Sequence, residues 1–188
     1  MALKNTHEDT MRNYQPQQKN LFELHVNDMG DAFNSDGILM LSLVSVSLPG
    51  ETTEVTVVEY LNTEMYFAGK TTIGELSASF RDYCDKDTLQ QLLKWRRKVW
   101  NSKTHRAGLA ADYKKNAQLT IYAPDALLTL PQGDPSPATV LKPRVWDLYG
   151  LWPTSCEPDG MDMTDSGQMM VSMGLRCDKA IPATEWFE

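Results

Sequence analysis

The sequence predicts a mainly β protein, a β-barrel or sandwich with one flanking α-helix and a protruding β-hairpin arm. Three observations predict it. Segments in which apolar and polar residues alternate recur along the chain, the pattern of half-buried strands. One convincing segment, near residues 88–100, places its apolar residues on a helical stripe. Residues 51–67 are rich in Val, Thr and Tyr, but Glu54, Glu59 and Glu64 break their alternation, so this hairpin lacks a clear home in its own core. A single helix interrupting a run of about seven or eight strands suits a sheet pair with the helix packed against it.

From Asn20 to Asn27, Phe22, Leu24 and Val26 alternate with Glu23, His25 and Asn27, which predicts a strand. Ile38 to Leu48 reads as a second strand, apolar on both parities in its first half and so covered on both faces. Pro49-Gly50 ends it. The arm follows, with Asn62-Thr63 near its middle as the turn. In Ile73 to Cys84 the residues Leu76, Ala78, Phe80 and Cys84 share one parity. Asp87 and Gln90 have the spacing of a capping box. Leu89, Leu92, Leu93, Val99 and Trp100 then form the helical stripe, with Lys94, Arg97 and Lys98 opposite and Arg96 within it. Asp112 to Ala123 alternates again, with Tyr113, Ala117, Leu119 and Ile121 on one face. Five prolines mark residues 124–143 as a loop. Val145 to Ser155 resumes extended structure, and Met169, Val171, Met173, Leu175 and Cys177 point inward after a turn at 165–167. The expected organisation is an N-terminal arm over 1–18, a β domain over 19–178 and a C-terminal tail over 179–188.

Gly69-Lys70-Thr71 looks like the end of a phosphate-binding loop. That loop needs a first glycine five residues earlier and a helix after the lysine. Glu64 occupies the glycine position, and the residues that follow alternate like a strand. The nucleotide reading is rejected in favour of a turn in which Gly69 supplies a permissive backbone. The carboxylate clusters Asp82, Asp85 and Asp87, and Asp159, Asp162 and Asp165, sit at caps and turns, where Asp serves the backbone. No catalytic residue is assigned. Cys84, Cys156 and Cys177 form no C-x-x-C pair, and His7, His25 and His105 are scattered, so neither a metal site nor a cofactor is expected. A turn at 165–167 places Cys156 and Cys177 opposite one another, as free cross-strand thiols.

The net charge is −7, but Lys94 to Lys115 holds eight basic residues and one acidic residue, leaving ten basic and 24 acidic residues elsewhere. One basic surface on an acidic body suggests a docking face. The basic segment carries Trp95 and Trp100, yet no nucleic-acid motif accompanies it, and specific nucleic-acid recognition is not expected. No apolar run approaches bilayer length, and the polar first twenty residues do not read as a secretory signal, so synthesis in a cytoplasm is expected.

Several stretches together resemble the tail tube protein of contractile-tailed bacteriophages of the T-even type, related to type VI secretion tube proteins. They are QKNLFELHV from residue 18, SLPG at 47–50, FAGKTTIGELSASF at 67–80, DYKKNAQLTIYAPDA at 112–126 and YGLWPTS at 149–155. The resemblance spans residues 18–178, with GLWPT at the opening of the last hairpin. It implies hexameric rings stacked into a hollow tube within a contractile sheath, which penetrates the host envelope and conducts DNA. The implied partners are further copies of the chain, the sheath, baseplate and terminator proteins, a tape measure protein and, transiently, genomic DNA. The implied location is the virion, after synthesis in the host cytoplasm. The same resemblance admits the inner tube of an injection or secretion machine with protein cargo. Within it, Val55, Val57, Val58, Tyr60, Leu61, Met65, Tyr66 and Phe67 are expected at subunit contacts, and Lys94, Arg97 and Lys98 toward the sheath. An acidic lumen would keep DNA from adhering. The chain departs from the family pattern in a longer N-terminal arm, a longer loop at 124–143 and a longer C-terminal tail.

Overall fold

A computed structural model describes residues 17–29, 37–84, 87–122, 144–164 and 166–183. Strand β1 (Phe22–Val26) buries Leu24 and Val26, as its alternation predicts. Ile38 to Leu48 departs from the single predicted strand. It begins as a one-turn helix α1 (Ile38–Ser42) and becomes strand β2 (Leu43–Val46). Apolar residues on both parities do not distinguish a buried strand from a buried helical turn, and the Ser42 hydroxyl donates locally to the Leu39 carbonyl at 3.0 Å, which favours the turn. Strands β3 (Glu51–Tyr60) and β4 (Thr63–Ile73) form the hairpin arm, and β5 (Leu76–Arg81) buries Leu76, Ala78 and Phe80. Cys84 lies beyond that strand and is exposed, contrary to its parity.

The helix α2 (Thr88–Val99) is present, but its cap and buried face differ from expectation. Asp87 has a left-handed backbone (φ 47°) and makes no capping bond. Asp82 does that work instead, accepting from the Leu89 amide at 3.2 Å. The deep residues are Leu92 and Trp95, whereas Trp100 is 45% exposed. The helix stops at Val99, so Trp100 leaves its stripe. Trp95 fits the core because its indole N–H donates to the Tyr113 carbonyl at 2.9 Å. Trp95→Ala is expected to cost about 3–5 kcal/mol in urea unfolding, and Trp100→Ala less than about 1 kcal/mol. Equal effects would contradict this packing.

After α2 comes a small hairpin, β6 (Trp100–Asn101) with β7 (Arg106–Ala107), and then a helical turn α3 (Ala110–Tyr113). The strand predicted from Asp112 starts later, as β8 (Lys115–Ile121), with Ala117 and Leu119 buried. The last three strands are β9 (Arg144–Pro158), β10 (Met170–Arg176) and β11 (Lys179–Pro182). Because β11 pairs with β9 and buries Ala180, the folded domain runs past residue 178 into the expected tail.

The main sheet path is β1-β8-β9-β10-β5-β2, all antiparallel. Strand β9 joins two layers. Its first half pairs with β8 and β11, and its second half pairs with β10. The change falls at Gly150, whose φ is +64°. A side chain there would also meet the Asp178 carboxylate, so only glycine fits. GLWPT therefore marks the point where β9 passes between layers, and its Trp152 and Pro153 form the outermost rungs of the β9–β10 hairpin, which it opens as expected. The layers enclose one core that includes Leu24, Phe80, Leu92, Trp95, Leu119, Leu148, Val171 and Met173. The mainly β architecture with a flanking helix and an emergent hairpin is as the sequence predicts.

Candidate assembly surfaces

The hairpin arm contributes none of the buried core residues. All ten residues of β3, and the first ten of β4, are exposed. At ~3.3 Å per residue, ten residues project roughly 33 Å from the domain. The turn is Leu61-Asn62, one residue earlier than predicted, and Thr63 starts β4 with its hydroxyl donating to the Tyr60 carbonyl at 2.9 Å. Gly69-Lys70-Thr71 is inside β4 and is not a turn between strands. The pairing shifts between Thr53↔Thr71 and Val55↔Ala68, a bulge with one extra residue in β4. A Cβ on Gly69 would crowd the Glu54 carbonyl oxygen at 3.0 Å, which explains the glycine without a phosphate.

The register sorts the arm into two unlike faces. Pairs Thr56↔Phe67, Val58↔Met65 and Tyr60↔Thr63 share one face, which carries no charge over that span. Pairs Val55↔Ala68, Val57↔Tyr66 and Glu59↔Glu64 share the other. The sequence gives glutamates on both parities, but the two-residue turn brings Glu59 and Glu64 opposite each other. Like charges so placed repel. The Tyr66 hydroxyl donates to Glu64 at 2.7 Å, and that bond pushes the Tyr66 pKa up. Leu61 at the tip is 91% exposed with φ +55°, a left-handed conformation costing roughly 1–2 kcal/mol outside glycine. Leu61→Gly is expected to increase amide-exchange protection of the isolated subunit's arm about fivefold, equivalent to ~1 kcal/mol. Unchanged or lower protection would exclude strain at this tip.

Lys94, Arg97 and Lys98 are all exposed on α2, away from Leu92 and Trp95, as predicted. Arg96 is half-buried. Arg96, Arg97 and Lys98 occupy the last turn, where cations favour the helix dipole by roughly 0.3–1 kcal/mol. Lys94 lies a turn earlier and has no such local reason. The exposed Lys103 and Arg106 of the β6–β7 hairpin extend the basic surface, with Trp100 edge-on to His105 at 6.3 Å. Lys114 is not part of it, because it pairs with Asp178 at 2.7 Å.

The predicted opposition of Cys156 and Cys177 is corrected by the register. Cys156 faces Met173, while the strand end near Cys177 pairs Arg176 with Trp152. The β9–β10 connection is longer than the three-residue turn expected. Its last pair is Pro158↔Val171, which slides the register by four residues. All three cysteines are free thiols. Burial pushes the Cys156 and Cys177 thiols up, reducing their thiolate. One fast thiol, Cys84, is therefore expected toward an aromatic disulfide reagent in the native protein, and three in denaturant. More than one fast native thiol would contradict this burial.

The carboxylates behave as turn residues. Besides Asp82 at the helix cap, Asp159 accepts from the Gly160 amide and Asp162 from the Thr164 amide at 2.9 Å. That amide bond holds the Asp162 carboxyl below its usual range. Asp85 and Asp165 lie outside the described residues, as do His7 and the loop at 124–143. Among the described residues, no cluster of His, Cys, Asp or Glu could hold a metal, and no helix is long and apolar enough to cross a membrane. The sequence reading missed an apolar cleft of about 500 Å3 between the edge strands β1 and β2, lined by Phe22, Val44, Val46, Leu48 and Ile121. The only hint was the second half of Ile38 to Leu48, where Val44, Val46 and Leu48 share one parity.

No family model matches the sequence, and no curated protein matches it. Solved structures do share the fold. A chain of the sheath–tube complex of the PVC extracellular contractile injection system in its extended state superposes with TM-score 0.62 at 14% identity, covering 93% of this chain and 95% of that one. A chain of the anti-feeding prophage tube terminating cap gives 0.62 at 11% identity, covering 90% and 91%. One from the anti-feeding prophage baseplate gives 0.60 at 12% identity, covering 90% and 96%.

Proposed function

We propose that this protein is a non-catalytic building block of the inner tube of a contractile injection device, forming hexameric rings that stack into a hollow tube. The carrying observation is the arm: ten residues of β3 and ten of β4, rich in Val, Tyr, Met and Phe, are exposed outside the core of their own chain. An exposed apolar hairpin is an aggregation hazard in a monomer and an assembly element in a polymer. The fold shared with contractile-system chains supports this reading. Within it, the β domain that begins at residue 19 and includes β11 is the ring-forming body, and Val55, Val57, Val58, Tyr60, Leu61, Met65, Tyr66 and Phe67 pack against an adjacent subunit, in the same ring or the next. Lys94, Arg97 and Lys98 face the sheath.

The finer reading is the tail tube of a T-even-like phage, supported by the set of sequence stretches that includes SLPG, YKK and GLWPT. It places the protein in a virion, after synthesis in the host cytoplasm. The tube would bear sheath, baseplate and terminator proteins, enclose a tape measure protein, and pass DNA through an acidic lumen that does not bind phosphate. A second reading, an injection particle with protein cargo, is favoured by the extracellular contractile injection systems among the structural neighbours. Electron microscopy of the purified full chain tests the assembly, with stacked rings or tubes expected. A protein that stays monomeric at all concentrations would overturn it. Nuclease-protected DNA inside isolated particles would select the phage reading over the protein-cargo reading.

A further inference from the structure

We infer that the apolar cleft between β1 and β2 is the receiving site for the uncharged face of the arm of a second copy of this chain. The inference rests on the assembly reading above and adds the place where the arm docks. Among the described residues, β1 pairs only with β8 and β2 only with β5. The two strands are thus the open edges of the sheet path, and the cleft of about 500 Å3 lies between them. Val44 and Leu48 on its wall are 38% and 55% exposed. Edges left open in this way invite pairing by another chain.

The occupant follows from three features. First, the arm cannot be filling the cleft of its own chain, because its residues are exposed throughout the monomer. Second, its face of Thr56, Val58, Tyr60, Thr63, Met65 and Phe67 has no charge to desolvate, which an apolar cleft requires. The five antiparallel pairings along the path also leave β1 and β2 antiparallel to each other. A two-stranded insert preserves the alternation of direction, and a single strand does not. Third, this seating turns the opposite face, with Glu59 and Glu64, away from the cleft, so that neither exposed carboxylate has to leave water.

Cysteine cross-linking in polymers of the full chain tests this, with Cys84, Cys156 and Cys177 first replaced by Ala. Adding Val58→Cys and Val44→Cys is expected to give disulfide-linked ladders on mild oxidation. Adding Val58→Cys and Lys94→Cys should not. Both valines are substantially exposed, so the subunit tolerates the changes. As a second variant, Leu48→Asp is expected to raise the protein concentration needed for polymerisation at least tenfold while leaving the subunit's circular dichroism unchanged. Polymers without Val44 linkage, or with unchanged assembly in Leu48→Asp, overturn the docking site and leave the assembly reading standing. Failure of the unmodified protein to polymerise overturns both.

Discussion

Replacing residues 53–65 with a short Gly-Ser turn is expected to give a folded, soluble protein that no longer polymerises. The hairpin supplies no buried core residue, and its base, Glu51↔Ile73 and Thr52↔Thr72, remains to close the connection between β2 and β5. The unfolding midpoint should therefore move little. Assembly should be lost altogether, because burying apolar side chains at ~25 cal/mol per Å2 supplies several kcal/mol per contact. A closed ring and a stack repeat that contact for every subunit. Sedimentation of the variant beside the parent, with unfolding followed in urea, separates the two effects. Tubes of normal length from the shortened chain would move the burden of assembly to the strand edges of the barrel.

Reversal of Lys94, Arg97 and Lys98 to Glu is expected to leave bare tubes intact and abolish their sheathing. The three side chains are exposed and make no contribution to the core. Their change of sign would turn attraction for an acidic partner into repulsion. Such exposed attraction is screened by salt over a Debye length of about 8 Å at physiological ionic strength, so sheathing of the parent should weaken as salt rises. Lys94→Glu alone should alter sheathing without the helix-dipole penalty that attends Arg97 and Lys98. Normally sheathed tails from the triple variant would exclude this face as the contact.

Alternation made the strands legible wherever one face meets the core and the other meets solvent. Leu24 and Val26, Leu76 and Phe80, and Val171 and Met173 all lie where the pattern places them. Where that asymmetry fails, local pattern fails with it. Ile38 to Ser42 is apolar on both parities, a pattern that a buried strand and a buried helical turn share. Trp95 sits among basic residues and reads as surface, yet a backbone carbonyl from α3, eighteen residues on, completes its site. The cysteine pairing failed for a different reason. A strand register is set by loop length, and an error of a few residues at the turn is carried to every rung. The exposed arm and the three basic residues were legible because both contradict what a monomer's own core needs. The cleft between β1 and β2 was not, since an edge is a property of the whole sheet order and no segment encodes it alone.

Strand β9 also governs the order of events as the chain is made. Residue Phe22 must wait for Ile121, and the β8 edge must in turn wait for residues 144–151. Topologies dominated by such distant pairings fold in milliseconds to seconds. The β3–β4 hairpin closes through two residues and can form within roughly 1–10 μs. The stickiest element of the protein is thus completed while both layers still await the strand that joins them. During synthesis, at roughly 5–20 residues per second, about 70 residues separate the end of β4 from the start of β9, an interval of several seconds. A nascent arm is therefore available to other nascent arms before any receptor surface exists. The glutamate pair at its tip, a cost to the isolated hairpin, becomes a guard during that interval, because two arms approaching tip to tip repel one another.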